Sequence, residues 1–499
     1  MEGHFHLPII IVLIGIFVSF ILPGLHFIKK NLNEYVSLSA MILMLVIAIY
    51  LVIEVSSNGP FTYVVGEWAP PWGIEFNVDY LGVYMTLIIT GIGFLALLYA
   101  SRDLHHELQE NALSLYYPLY MLLMASMIGM VLTNDIFNLF VLLEITLLTS
   151  VAIICVKENK DTIEASLKYL MLNALGSATV LMGIALLYII TGHLNMTYIA
   201  QELAVNFEQY PTVIMAIVAL FFVGFGVKSA LFPMHVWLPD AHGSAPSPSS
   251  AVLSGLVIKV YVVSLIRFYF IVLPEEILEL MPVGEILLWF AAAGMILGSM
   301  FAIAQEDIKK MLAYSSVAQI SYVFLGIGLL SLTSFQGGLL HILNHAIIKS
   351  MLFLIAGAII YTSGIRKISH MHGVGLRYPL IMICFTLGAF AMIGIPGTNG
   401  FISKWYLALG ALDAGRPFFV LVILVSSLLN GVYYLPIVVN SFFGDMQDAD
   451  INFIKCNKLP WQMFFPIVLC GFLIIFIGLY PALPLSLVEP AVEFLMPEL

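Results

Sequence analysis

Residues 223–246 read VGFGVKSALFPMHVWLPDAHGSAP and carry a lysine, Lys228, inside an apolar run that then breaks at Pro233. An apolar run of this length is typical of a membrane-spanning helix, in which a charged side chain costs about 2.5–3.5 kcal/mol on insertion scales. Pro233 and Pro239 lack amide protons, so two helical carbonyls lose their partners. Such a break is tolerated at membrane depth only where protein or water satisfies those carbonyls. The stretch therefore predicts a polar interior within a membrane domain.

The composition of the chain is that of a polytopic helical membrane protein in a lipid bilayer. Hydrophobic residues make up 61% of the 499 positions and charged residues 10%, whereas a soluble domain has about 25% charged residues. Lys and Arg total 19 and form no basic face, which excludes nucleic acid as a partner. We predict an all-α fold with fourteen spans, at residues 7–23, 35–54, 77–100, 115–132, 136–156, 165–191, 211–238, 248–273, 284–304, 309–330, 335–360, 378–409, 418–442 and 461–486.

The distribution of cations between the loops supports this count and predicts an orientation. When loops alternate between the two sides, Arg267 and Arg416 fall on one side, and thirteen cations fall on the other: Lys29, Lys30, Arg102, Lys157, Lys160, Lys168, Lys309, Lys310, Arg366, Lys367, Arg377, Lys455 and Lys458. Cytoplasmic loops attract Lys and Arg. We therefore expect an uncleaved first helix and both termini on the outer side of a prokaryotic cell membrane.

A second interrupted helix predicts an internal repeat. In GIPGTNGFISKWY (394–406), Pro396 and two glycines break the apolar run and Lys404 follows. The second break comes five spans after the first, so the second copy crosses the membrane in the opposite direction, as in inverted-topology repeats. We predict a single membrane domain over 1–499, divided into spans 1–3 (1–110), a first repeat of spans 4–8 (111–275), a second repeat of spans 9–13 (280–445) and span 14 (446–499).

Ionisable side chains inside the spans are candidates for proton translocation. A carboxylate near a lysine holds the lysine's proton, and a desolvated lysine without one releases it. Three candidates follow one another at i, i+4 and i+8 and therefore share one helix face. The candidates are Glu144, Lys228, Lys259, His341, His345, Lys349 and Lys404.

Each candidate also has a structural alternative. Glu144 and Lys228 would otherwise form an interhelical salt bridge, and Lys404 an interfacial anchor beside Trp405. The histidines would otherwise only hydrogen-bond to neighbouring helices. A further group is expected near helix ends or in the relay, as an ion entrance or as support: Asp135, His235, Asp240, His242 and Gln319.

Motifs for cofactors are absent from the sequence. GFGVKS lacks the strand and the spacing of a phosphate-binding loop. HILNH has two histidines at i and i+4 but no adjacent glutamate. The cysteines, at 155, 384, 456 and 470, form no zinc, haem or iron–sulfur pattern. We expect no cofactor, no metal and no redox centre in this chain.

Four motifs resemble one family over nearly the whole chain. They are NDIFNLFVLLE, KSALFPMHVWLPDAHGSAPSPSSAVLSG, NHAIIKSMLFLIAG and GIPGTNGFISKWY. The chain is similar to the antiporter-like subunits shared by respiratory complex I, membrane-bound hydrogenases and Mrp-type sodium/proton antiporters, and most similar to the D-type Mrp subunits. The resemblance implies fourteen helices with inverted repeats, a hydrophilic axis, and partner membrane subunits. It also implies proton-moving roles for Glu144, Lys228, Lys259 and Lys404.

The leading hypothesis is a proton-translocating subunit of a multisubunit Mrp-type Na⁺/H⁺ antiporter, with H⁺ and Na⁺ as the transported ions. The alternative is the homologous subunit of a redox-driven complex, either a membrane-bound hydrogenase or complex I. An intramembrane metalloenzyme built on HILNH would bind stoichiometric zinc. A solute transporter would show substrate uptake by the isolated chain.

Overall fold

Long apolar helices account for most of the fold. The computed structural model describes residues 6–26, 31–274, 277, 281–444 and 459–496. The helices among these residues are α1 (Leu7–His26), α2 (Leu32–Asn58), α3 (Tyr80–Glu107), α4 (Glu110–Leu132), α5 (Ile136–Cys155), α6 (Lys160–Thr191), α7 (Met196–Asn206), α8 (Pro211–Lys228), α9 (Leu238–Ser244), α10 (Ser247–Val272), α11 (Val283–Ile303), α12 (Ile308–Gly328), α13 (Leu332–Ser363), α14 (Val374–Arg377), α15 (Pro379–Ile393), α16 (Asn399–Asp413), α17 (Pro417–Phe443), α18 (Trp461–Leu479) and α19 (Ala482–Leu495).

The predicted all-α polytopic membrane fold is confirmed. Thirteen helices of the described residues are long and apolar enough to cross a membrane. The remaining predicted span is divided between α15 and α16. Lys29, Lys30, Lys455, Lys458 and Cys456 lie outside the described residues. The inverted relation of the two halves, the boundaries of the repeats and the orientation of the termini stay predictions.

Several helix boundaries differ from the sequence prediction because polar residues continue the helices. Helix α3 runs to Glu107 rather than 100, and α6 begins at Lys160 with a capping box at Asn159. Helices α7 and α19 were not predicted. Asn195 caps α7 by accepting hydrogen bonds from the amides of Thr197 and Tyr198.

A short hairpin follows α2. Strand β1 (Phe61–Val64) pairs antiparallel with β2 (Glu75–Val78). The Glu75 carboxylate accepts hydrogen bonds of 3.0 Å from the side chains of Asn134 and Asn195. The hairpin is thereby fixed to the turns that follow α4 and α6.

The centre of the bundle is formed by α3, α10, α12 and α13, whose side chains are mostly buried. Helices α1, α2 and α6 instead expose large apolar side chains along their lengths. An exposed apolar face of this extent on a membrane helix suits contact with lipid or with another membrane subunit. Two of these central helices carry Lys259, on α10, and His341, His345 and Lys349, on α13.

A fully buried ion pair joins three helices. Arg267 on α10 donates two hydrogen bonds, of 2.8 and 2.9 Å, to the carboxylate of Asp79, the N-cap of α3, and a third of 2.8 Å to the carbonyl of Val131 on α4. Both charged side chains are 0% exposed. The charge tally had counted Arg267 among the loop cations; this count is wrong, because Arg267 lies inside α10, within the predicted span 248–273, and is fully buried.

We predict that Asp79→Ala destabilises the protein by about 3–5 kcal/mol, because the substitution leaves the Arg267 guanidinium charged and unpaired. Thermal unfolding of the detergent-solubilised complex measures the effect. The double variant Asp79→Leu/Arg267→Met should recover most of the loss. Glu306→Ala, which removes an exposed carboxylate 3.9 Å from Lys367, should change the unfolding temperature little. Equal stability of Asp79→Ala and the parent would contradict the prediction.

Candidate functional site

Lys228 is the last residue of α8 and is completely buried. Its Nζ lies 5.4 Å from the ring centroid of Tyr261 on α10 and has no hydrogen-bond partner in the described structure. Glu144 on α5 acts on it electrostatically. Their atoms are nevertheless not in contact, since this pair is absent from the ion pairs within 4.0 Å that the described residues form. The predicted pair is therefore neighbouring rather than bonded.

The break after Lys228 extends from Ser229 to Trp237 and separates α8 from α9. The carbonyl of Val227 accepts a 2.9 Å hydrogen bond from the Trp237 indole. The carbonyl of Gly226 accepts one of equal length from the amide of Leu231. Protein groups thus satisfy the carbonyls, as a break at membrane depth requires. Ala230 holds φ +57, a left-handed conformation that costs a non-glycine residue about 1 kcal/mol.

The two prolines of this segment have different positions. Pro233 lies inside the break, whereas Pro239 occupies the first turn of α9. A proline there interrupts no helical hydrogen bond. The prediction that both prolines break the helix is therefore correct only for Pro233.

Several buried polar atoms near Lys228 have no protein partner. They lie on α5, α6 and α10, and Gly176 of α6 packs against both Gly224 and Lys228. Buried polar atoms are normally hydrogen-bonded to protein or to ordered water. The atoms are Glu144 Oε1, Asn173 Oδ1, Ser177 Oγ and Tyr261 OH.

Lys259 lies one helix further on, directly after a π-helical turn at Leu253–Val257 in α10. The Lys259 ammonium donates to the carbonyl of Ser254. The Ser254 hydroxyl is in turn 2.8 Å from that of Ser316 on α12. π-Turns inside helices often occur at functional sites. Here the turn presents a carbonyl to a buried amine.

Helix α13 presents three ionisable residues on one face. The rings of His341 and His345 stack with centroids 5.9 Å apart. His341 is hydrogen-bonded to Ser403 at 2.9 Å and to Gln319 at 3.1 Å, while neither ring nitrogen of His345 has a partner. The row links α12, α13 and α16 and lies within electrostatic reach of Lys259.

Lys349 and Lys404 lie at the two ends of this row, and both donate hydrogen bonds to neutral oxygen atoms. Lys349 donates to the Leu312 carbonyl at 2.7 Å and also to the hydroxyls of Ser315 and Tyr434. Lys404 donates to the carbonyls of Met392 and Ile393, at 2.7 and 3.2 Å, and to Ser427 at 3.0 Å.

Lys404 thereby holds the break between α15 and α16. The carbonyls that it binds belong to the last two residues of α15. Its Nζ also lies 4.7 Å from the Tyr322 ring centroid, a favourable position for a cation. Gly394 and Gly397 turn the chain here with φ of +91 and +89, values that glycine adopts readily.

The expected entrance residues are dispersed. Asp135 caps α5 by accepting the amide of Asn138 at 2.6 Å. His235 lies in the break after Lys228 and stacks on Phe232. His242 is fully buried in α9, and its Nδ1 is 2.9 Å from the carbonyl of Leu238.

Asp240 lies at the solvent side of α9, where it pairs with Lys168 at 3.0 Å and Lys310 at 3.5 Å. It lines a cavity of about 400 Å³, the charged cavity, whose other charged residues are Lys157, Asp161, Glu164, Lys168, Asp307, Lys310 and Arg366. Four separate loops or helix ends contribute these cations. That these cations line one cavity is consistent with the predicted arrangement, in which their loops lie on the same side of the membrane.

Two buried groups near this cavity were not among the predicted site residues. Asp103 is 1% exposed and lies in the part of α3 beyond its predicted end. Lys309 was counted among the loop cations; this count is wrong, because it lies in the first turn of α12 and is 2% exposed. A carboxylate and a lysine at the edges of apolar runs carry no signal that distinguishes them from solvated interfacial residues.

Comparison with known proteins identifies the family. Residues 133–430 match the model of the family described as NADH:quinone oxidoreductase/Mrp antiporter, TM. The chain is 37% identical to NADH-quinone oxidoreductase subunit N of Desulforudis audaxviator, over 95% of this chain and 96% of that one. It is 30% identical to the putative antiporter subunit mnhD2 of Staphylococcus aureus, over 94% and 92%.

A solved structure has the same fold. A chain of the membrane-bound sulfane sulfur reductase, an archaeal respiratory membrane complex, superposes with a TM-score of 0.89 at 30% identity, over 98% of this chain and 97% of that one. The matched family model and these relatives span the breaks, the buried lysines and the central histidines. The chain belongs to the NADH:quinone oxidoreductase/Mrp antiporter membrane-subunit family.

Proposed function

We propose that this chain is a proton-translocating subunit of a multisubunit Mrp-type monovalent cation (Na⁺)/H⁺ antiporter. Protons move sideways along the row of buried groups that begins at Glu144 and ends at Lys404. The observation that carries the proposal is that the lysines at 228, 259, 349 and 404 are buried and, among the residues that the structure describes, form no ion pair within 4.0 Å. An ammonium held only by neutral acceptors can exist in either protonation state, unlike a guanidinium.

Glu144 and Lys228 form the end of the row at which charge can be regulated. Since the two side chains interact electrostatically but are not bonded, a small displacement changes the stability of the Lys228 ammonium. The unpartnered polar atoms around them suit ordered water, which carries protons between groups that do not touch.

The centre of the row supports transfer between the halves of the bundle. His345 lies between Lys259 and His341, and its two ring nitrogens are free to accept and donate. Gln319 and Ser403 hold the His341 ring in a defined orientation. Histidine exchanges protons at either nitrogen and suits this intermediate position.

The host complex has a second candidate. The 37% identity to a subunit of NADH-quinone oxidoreductase and the fold shared with a respiratory membrane complex favour a redox-driven complex. In that case electron transfer in partner subunits would drive the same proton row. The two candidate complexes differ in their partner subunits, whereas the buried groups of this chain would be the same in both.

Purification of the native complex separates the hosts. Proton uptake driven by a sodium gradient, with no stoichiometric iron or nickel, supports the antiporter. Bound metal centres, together with proton pumping that requires an electron donor, overturn it in favour of the redox complex.

We predict that Lys228→Arg and Glu144→Gln each lower cation-dependent proton flux at least tenfold, while the complex still assembles. Arginine keeps the positive charge but cannot release its proton, and glutamine removes the carboxylate that acts on Lys228. Fluorescence quenching by a pH-sensitive dye in everted membrane vesicles measures the flux. Full rates in both variants would remove this pair from the mechanism.

Lys404→Arg is expected to abolish flux with assembly intact, because arginine can still hold the carbonyls of Met392 and Ile393 but does not exchange its proton. Lys367→Arg, at a side chain that is 60% exposed, is the matched control and should keep the parental rate. A normal rate in Lys404→Arg would show that Lys404 is only a structural cap of the break.

A further inference from the structure

Asp103, near the end of α3, is a buried carboxylate outside the proton row described above. It is 1% exposed, and its Oδ2 has no hydrogen-bond partner in the described structure. The charged groups that act on it are Glu107, Lys157 and Lys309. Ion pairs within 4.0 Å among the described residues include neither Asp103 nor Lys309. A structural ion pair would be in contact, since burial of separated charges is costly.

Lys157 connects this position to solvent. It forms a 2.6 Å ion pair with Glu107, one turn beyond Asp103 on α3, and both side chains are partly exposed. Lys157 also lines the charged cavity. Asp103 therefore lies one helical turn from a residue whose ion pair is partly exposed to solvent.

Lys309 and His242 connect the same position to the centre of the bundle. Lys309 donates to the carbonyl of Ala245, three residues after His242. His242 interacts electrostatically with both Lys309 and Lys259. Its Nδ1 is bonded to Leu238, and its Nε2 has no partner. That nitrogen is free to take up and release a proton.

Further polar groups face Asp103 from the surrounding helices. Tyr99 precedes it by one turn, and Tyr116 faces it from α4. The hydroxyls of Tyr99 and Ser247 both lie within 3 Å of the position that a side chain at Gly357 would occupy. Neither hydroxyl has a protein partner. The region between α3, α10 and α13 thus contains buried hydroxyls that suit ordered water.

We propose that Asp103 is the inner acceptor of a proton inlet that leads from the charged cavity through Lys309 and His242 to Lys259. The Asp103 carboxylate takes a proton from water in the cavity and passes it to the neutral amine of Lys309. The Lys309 ammonium protonates His242 at Nε2, and the imidazolium returns to neutral by protonating Lys259. The inlet rests on the proposed function, because it supplies the proton row at Lys259.

The test compares variants of the full complex in everted vesicles. Asp103→Asn should lower the initial rate of sodium-dependent proton flux at least tenfold, with an unchanged KM for Na⁺ and an unchanged amount of assembled complex. Asp103→Glu should restore most of the rate. Glu306→Gln, at an exposed carboxylate on the same side, should behave as the parent. Lys228→Arg serves as the reference for the proposed function.

Each outcome decides between the proposals. A normal rate in Asp103→Asn, alongside an inactive Lys228→Arg, overturns the inlet and leaves the proton row standing. Normal rates in both overturn the proposed function itself. If Asp103→Asn does not assemble, Lys309→Arg decides: a loss of flux supports the inlet, because guanidinium keeps its proton, and a normal rate overturns it.

Discussion

The main constraint on this structure is that lysine amines lie inside an apolar bundle and, among the described residues, have no carboxylate in contact. Ion pairing is the usual way to hold a buried charge, and Asp79 with Arg267 shows that this chain can build such a pair. The lysines of the proposed proton row are held differently. Lys259, Lys349 and Lys404 donate to carbonyls and hydroxyls, and Lys228 donates to no protein group. Neutral acceptors stabilise an ammonium while leaving the neutral amine accessible.

Irregular helix geometry supplies many of these acceptors. Most carbonyls of a regular helix are already bonded internally, so helix ends and irregular turns offer accessible acceptors. Lys259 donates to the carbonyl of Ser254 in the π-turn, and Lys404 to those of Met392 and Ile393 at the end of α15, whereas Lys349 shares the Leu312 carbonyl inside α12. Glycines with positive φ make the second break possible. The same irregularities would be defects in a purely structural membrane helix.

Much of this organisation could be predicted from the sequence, because hydropathy and proline positions act locally. The spans, both breaks and the candidate lysines follow from runs of apolar residues interrupted by Pro, Gly and Lys. Asp103 could not be found in this way, since its burial depends on how far α3 continues and on which helices cover it. The burial of Lys309 could not be predicted either, because a lysine beside Lys310 at the start of a helix resembles a solvent-exposed residue at a helix end. The separation of Glu144 from Lys228 depends on the packing of α5 against its neighbours, which no local pattern contains.

The lysines at the two breaks differ in their hydrogen-bond acceptors. This difference affects how readily each lysine of the proposed row can change its protonation state. At α15 and α16 the lysine follows the break and reaches back to the released carbonyls, so its position is fixed by three acceptors. At α8 and α9 the lysine precedes the break, and Trp237 and Leu231 already occupy the carbonyls of Val227 and Gly226. Lys228 is left with an aromatic ring and a distant carboxylate. A group without fixed acceptors responds most to a nearby charge, so in the proposed row Lys228 is the member whose protonation Glu144 would control. Lys404, which is fixed by backbone carbonyls, would serve as the end of the proposed row.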